Sequence, residues 1–407
     1  MNGRLWVNRN FRLLFSSAMA TNLGDGLIAV AVPWLATMLT DDPLLIGLVA
    51  AARHLPWALF ALPAGVLTDR HDHRRLILAA DAARLVLSVA LCGLALTAPP
   101  GTGPVLALAA LAFLLGSAEV LRDNTAQTFL PDVVDKPQLE RANGALWATE
   151  RLAGQLAGPP LAGFLIGLTV ALPFGVQSLL LLLALALIGA MRLPPPVHPG
   201  HHQPALAAIR EGLAWLWANP RLRRLALVSG AFNFVGYGFF AVFVLYAQEV
   251  LGLDVMGYGA FLTLVACGGL AGSILGPIVA VRIGPTASLL LGIAVFSASS
   301  ASLALQSPIW VVAAFMVADG FTGMLWDITV VSYRQRHIPP PLLGRVNSAY
   351  RFIGTGPAAL GAFAFGALVA LAETPDDRIP ALLLPYAVAS AVTALLAVYA
   401  AFRLRLA

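Results

Sequence analysis

The sequence predicts an all-α membrane protein, with twelve transmembrane helices arranged as two pseudo-symmetric six-helix bundles. Composition points there first: 59% of the 407 residues are hydrophobic and 11% are charged. Soluble domains run at roughly half apolar and about a quarter charged. A globular interior cannot hide that much apolar surface, whereas a bilayer can. Spacing agrees, because apolar segments of the ~20 residues needed to cross ~30 Å of hydrocarbon recur twelve times. The third observation is charge sorting. Lys and Arg hold nineteen positions in one set of loops and helix ends, from Arg4, Arg9 and Arg12 to Arg403 and Arg405, and one position, Arg378, in the other.

The spans read as 12–39, 44–67, 76–97, 104–128, 144–170, 174–192, 222–248, 257–281, 286–305, 308–331, 346–371 and 380–402. Turn signals separate them, among them Asp41-Asp42-Pro43, Pro99-Pro100-Gly101, Gly284-Pro285, Pro339-Pro340-Pro341 and Thr374-Pro375-Asp376. No span alternates polar and apolar residues as barrel strands do. The first apolar run has no small-residue cleavage site after it and is read as a retained helix. Positive charge stays in the cytoplasm, which places both termini there. The expected location is a bacterial-type cytoplasmic (inner) membrane.

Residues 193–220 form the one long polar interruption and divide the chain into bundles at 1–192 and 221–407. The Pro- and His-rich start reads as a solvated linker, so His198, His201 and His202 are not taken as metal ligands. Ala205–Ala218 reads as an amphipathic surface helix. Cys92 and Cys267 lie far apart in apolar stretches, with neither metal spacing nor an expected disulfide. The net charge of +5 is spread along the chain, which argues against a nucleic-acid partner.

The halves repeat. Arg122 to Ala145 aligns without gaps on Trp326 to Ala349, an offset of 204 with seven identities, including Asp123/Asp327, Pro137/Pro341, Leu139/Leu343, Arg141/Arg345 and Asn143/Asn347. Two parallel six-helix repeats are the build of a transporter that rocks one half against the other around a midplane site.

Between the second and third spans stands the densest charge in the chain, "AGVLTDRHDHRRLIL", Ala64 to Leu78. Gly65, Asp69, Arg70, Arg74 and Arg75 in this loop, set in a twelve-helix duplication, resemble the major facilitator superfamily along essentially the whole chain. Asp72 and His73 stand where that family usually has Gly and a basic residue. This departure resembles the drug-exporter branch that includes macrolide-efflux and enterobactin-exporter-like proteins. Topology alone explains the arginines. Asp69 needs another reason, and a carboxylate at a helix end can hold an arginine or a neighbouring helix N-terminus as a gating latch. The second-half counterpart keeps Gly276 and Arg282 but has Ala280 and no acid, so such a latch is asymmetric.

In the fifth span, Gly154-x3-Gly158-Pro159-x2-Ala162-Gly163 resembles the antiporter signature of the same drug exporters. Small residues at this spacing let helices approach closely and the proline bends the chain, so tight packing accounts for the same pattern.

Charge inside the spans is costly and marks function. Asp25 lies near the middle of helix one, Glu119 and Arg122 are spaced to pair on helix four, and Asp319 sits midway along helix ten. The family resemblance places helices one, four, seven and ten around a central cavity, which makes Asp25, Glu119 and Asp319 the proton-coupling candidates. Asp81 and Arg84, three apart, read as a structural ion pair. Asn22, Arg53, Phe232, Asn233, Tyr237 and Phe240 are the residues expected to meet a bulky amphipathic ligand, although aromatic residues also serve as plain packing.

No phosphate-binding lysine loop, zinc spacing or nucleophile elbow occurs, so neither an enzyme nor a cofactor is expected. The reading is a monomeric secondary transporter that exports an amphipathic small molecule against protons. An importer or uniporter of a sugar, organic acid or lipid shares the fold; a non-transporting receptor or scaffold is the remote alternative.

Overall fold

The computed structural model describes residues 4–135, 138–192, 205–339, 342–375 and 377–404, and all regular structure among them is helical. After a short turn at Arg4–Val7, helix one runs Arg9–Leu39, started by Asn8, whose side chain accepts from the Phe11 amide at 3.1 Å. Helix two is Pro43–Arg70, three His73–Thr97, four Thr102–Val133 and six Leu172–Gly189. Helix seven is Pro220–Glu249, ten Ile309–His337 and twelve Ile379–Arg403. Proline opens helices two and seven, where a missing backbone donor costs nothing.

Two expected spans are built differently from the simple reading. Helix five is three consecutive pieces, Leu139–Thr149, a π-helical stretch Glu150–Ala157 and Gly158–Leu168. Helices eight and nine are fused into Val255–Ala304, parted only at Gly284. Its φ of 80° and ψ of 168° lie where only glycine rests without strain. Helix eleven likewise steps from Leu343–Thr355 to Pro357–Ala372. Among the described residues, ten helical stretches are long and apolar enough to cross a bilayer; parting one at Gly284 and joining the pieces of helix five makes twelve. The linker helix spans Ala205–Ala218, the bounds its amphipathic pattern predicts.

The chain falls into two compact units. The first holds Met1–Thr40, Ala52–His201 and Val255–Ala260; the second holds Asp41–Ala51, His202–Asp254 and Phe261–Ala407. Each has an apolar plug at its arginine-rich end. In the first it gathers Phe11, Leu14, Ile77, Phe129 and Ile188; in the second, Leu216, Leu225, Ile293, Val330 and Val346. Outward-facing side chains such as Leu96, Leu168 and Leu371 are more than 60% exposed, as lipid-facing positions are.

Helix one packs on helix five backbone to backbone. A Cβ at Gly158 would stand 2.6 Å from the Gly26 Cα, and one at Gly26 would overlap the Gly154 carbonyl. Gly154 and Gly158 of the antiporter-type motif are therefore spent on this contact, whereas Gly163 faces the Val255 carbonyl, where a Cβ would stand 2.8 Å away.

Candidate functional site

The first unit holds a buried chain of alternating charge that no stretch of sequence spells out. Arg84 of helix three, with no exposed surface, reaches Asp25 of helix one through Nη2 and Asp81 through Nη1 at 3.4 Å. Asp81 Oδ1 also faces Arg122 Nε of helix four at 3.7 Å, and Arg122 Nη1 meets Asp123 at 3.4 Å. The order Asp25–Arg84–Asp81–Arg122–Asp123 thus threads three helices and begins and ends on an acid. Glu119 lies within the field of Arg84, Asp25 and Asp123, and Arg53 acts on Glu119 in turn.

Sequence spacing gave Asp81–Arg84 correctly but paired Glu119 with Arg122. The structure instead turns Arg122 toward Asp81 and Asp123. Arg84 is a partner of Asp25 that spacing does not reveal, because the contact joins helices whose separation in sequence says nothing about adjacency. The charge chain is graded in exposure. The middle acid, Asp81, is sealed, while the side chains of Asp25 and Asp123 are 22% and 33% exposed. Asp81 Oδ2, Arg84 Nε and Arg122 Nε are buried without a hydrogen bond among the described residues, so the polar group is incompletely satisfied.

The second unit carries a different set of charges: Arg334 is half-buried within the field of Asp327 and Arg351, and its guanidinium lies 4.3 Å from the centre of the Tyr350 ring. Gly116 meets the Arg53 carbonyl, where a Cβ would stand 2.7 Å away, and at the offset of 204 Gly320 meets the Val265 carbonyl. Val265 therefore stands at the counterpart of Arg53. At the same offset Glu119 becomes Gly323 and Arg122 becomes Trp326. Asp319 lies half-buried on helix ten with Ser299 of helix nine beside it.

The expected ligand residues have local partners. Asn22 Nδ2 donates to Thr149 Oγ1 at 2.8 Å, tying helix one to helix five. Asn233 Nδ2 donates to the Gly354 carbonyl at 2.7 Å, tying helix seven to helix eleven in the equivalent way. Phe232 stacks on Trp326 with ring centres 4.8 Å apart. Tyr237 is half-buried and Phe240 is 38% exposed.

In the loop after helix two, Asp72 caps helix three by accepting from the Arg75 amide at 2.7 Å, and His73 Nδ1 lies 2.7 Å from Asp132. Arg74 donates to the Ile188 and Gly189 carbonyls and so caps helix six. Gly65 has open space around it and Arg75 is exposed. The side chains of Asp69 and Arg70 lie outside the described residues.

At the opposite, acidic end, Arg378 is held by Glu249 at 3.0 Å, by Glu373 at 3.1 Å and by the Asp41 carbonyl. The solitary arginine of that end is thus a three-way tie. Arg378→Gln is expected to lower the melting temperature of the purified protein by a few degrees, consistent with about 1–2 kcal/mol for charge-assisted bonds that are partly solvated.

The sequence profile described as Major Facilitator Superfamily matches residues 14–362. The chain belongs to the major facilitator superfamily. It is a multi-pass membrane protein of that transporter superfamily. The transporter is 33% identical over 232 residues to the multidrug efflux pump Tap of Mycobacterium tuberculosis, covering 54% of this chain and 53% of Tap. The match thus spans about half the length of that relative. It is 25% identical over 370 residues to the enterobactin exporter EntS of Escherichia coli O1:K1, covering 89% of this chain and 85% of EntS. Among solved structures, the nucleoside transporter NupG superposes with a TM-score of 0.82 over 98% of this chain and all of that one, at 11% identity. A bacterial homologue of the iron transporter ferroportin reaches 0.70 over 96% of this chain and 98% of that one, at 16% identity. At those identities the likeness is one of fold.

Proposed function

We propose that this transporter exports amphipathic small molecules in exchange for protons by alternating access, with the charge chain of the first unit as the proton site. The observation that carries the reading is its charge balance. Five carboxylates (Asp25, Asp81, Glu119, Asp123 and, through its field on Asp123, Glu150) share their surroundings with three arginines (Arg53, Arg84 and Arg122). An uncompensated charge inside a bilayer costs at least about 2.5–3.5 kcal/mol, and protonation of an acid lowers the surplus. Asp81 is closed off between two arginines, whereas Asp25 is partly open and faces Arg84. Asp25 is therefore the leading carrier, with Glu119 and Asp319 behind it.

Two exporters among the relatives, one of drugs and one of a siderophore, support the outward direction. The sorting of arginines supports cytoplasmic termini and an inner-membrane location. The transporter is taken to act as a monomer.

The test uses the purified protein in liposomes. An imposed pH gradient should drive a cationic dye or a macrolide against its own gradient, and Asp25→Asn should abolish that coupling while leaving the fold intact. Undiminished proton-driven flux in Asp25→Asn would remove Asp25 from the mechanism. Flux only toward the cytoplasmic side would favour an importer instead. Asp69→Asn is expected to slow turnover more than it weakens substrate binding, and a normal rate would leave the loop with a topological role alone.

A further inference from the structure

A cluster in the second unit is left over when the transport chemistry is set aside. The last turn of the linker helix, the first turn of helix seven and the end of helix twelve meet there. Arg223 Nη1 donates to the Trp217 carbonyl at 3.1 Å, and its guanidinium lies 5.6 Å from the centre of the Trp217 ring. Arg224 Nη1 donates to the Arg403 carbonyl at 3.1 Å. Each guanidinium has five N–H donors and spends one of them here on a helix-end carbonyl. Arg221 and Arg403 beside them are exposed. The segments 217–224 and 402–403 carry four arginines and no carboxylate, and the nearest acid in sequence, Glu211, is engaged by Arg345.

Two large apolar side chains stand out at the same place, Trp217 at 54% and Phe402 at 71% exposed. Exposed tryptophan beside arginine is the pattern of a membrane–water interface, with the ring at headgroup level and guanidinium forks suited to phosphate. Arg336 offers a contrast on the same basic end: it is exposed and bonds to the Ser332 carbonyl of its own helix.

We propose that Arg223 and Arg224, with Trp217 and Phe402 as apolar flanks, form a binding site for the headgroup of an anionic phospholipid. The site fastens the linker helix and helices seven and twelve to the leaflet on the arginine-rich side. It is independent of the transported substrate and of proton coupling.

The test reconstitutes the full chain in phosphatidylcholine vesicles containing a minor fraction of brominated phosphatidylglycerol or, in a parallel set, brominated phosphatidylcholine. Bromine quenches nearby tryptophan, and subtraction of the Trp217→Phe protein isolates the Trp217 signal. Brominated phosphatidylglycerol should quench that signal at the lower lipid fraction. Arg223→Gln and Arg224→Gln should each cut the preference about fivefold, the equivalent of about 1 kcal/mol per arginine near an anionic surface. Arg336→Gln should leave it unchanged. Equal quenching by both lipids, or equal loss in Arg336→Gln, would overturn the site. Abolition of the preference by inorganic phosphate would also overturn it, since the site would then be one for free phosphate. If the Gln variants do not fold, Arg223→Lys and Arg224→Lys keep the charge and should each lose part of the preference, because a point charge lacks the guanidinium fork; an unchanged preference in both would overturn the site.

Discussion

Arg84→Met is expected to destabilise the first unit by about 3–5 kcal/mol, the usual cost of removing one member of a buried ion pair. Arg84 is fully buried and answers two carboxylates at once, Asp25 and Asp81. Its loss leaves Asp81, itself without exposure, facing only Arg122 at 3.7 Å. Methionine keeps the apolar stem but ends short of the guanidinium nitrogens, so a small cavity adds to the charge penalty. The measurement is thermal unfolding of the purified protein in detergent, with expression yield beside it. Adding Asp81→Asn should return a large part of the loss, because the unpaired charge then disappears. Failure of that second change to help would mean that Arg84 matters for packing alone. Asp25→Asn in the same background should help less, since Asp25 retains access to water.

Gly26→Leu is expected to be as damaging by a different route. The Gly26 position has the Gly154 carbonyl where a side chain would begin, and the Gly158 Cα lies 2.9 Å from the same point. Both obstacles are backbone, so neither can rotate away. Overpacking a tight core costs about 1–3 kcal/mol where side chains can adjust, and here helix one must separate from helix five instead. Gly65→Ala is the matched control: nothing lies within 4 Å of a Cβ there, and the change should hold or slightly raise the melting temperature. Equal losses in the two variants would show that the damage comes from helix propensity and not from the contact.

Most of the architecture could be read from the chain because a bilayer imposes a length and an apolar character on every span. The linker helix at Ala205–Ala218 was legible to the residue, since its apolar face alternates with charge at helical spacing. The fusion of helices eight and nine was less legible. Gly284-Pro285 reads as a turn, but only the backbone angle shows that one residue suffices. The π-helical stretch of helix five leaves no sequence pattern at all.

Site residues divide along a similar line. Asp81 and Arg84 could be paired from spacing because one helix carries both. Asp25 with Arg84 joins two helices, and no periodicity records which spans touch. The polar tips of Asn22 and Asn233 suggested a ligand, yet each bonds across to a neighbouring helix of its own unit. A repeat gave a further signal. The offset of 204 turns Glu119 into Gly323 and Arg122 into Trp326 while keeping Asp123 as Asp327, so those two members of the group have no counterpart in the second half.

Gly284 limits what the chain can tolerate at this corner. Its single residue parts two membrane spans with no loop between the arms, and the Ser288 hydroxyl bonds back to the Gly284 carbonyl at 2.8 Å. Any side chain placed there would have to hold a backbone angle that L-residues rarely adopt. The junction therefore has no spare residue to absorb a substitution, whereas a loop of ordinary length would.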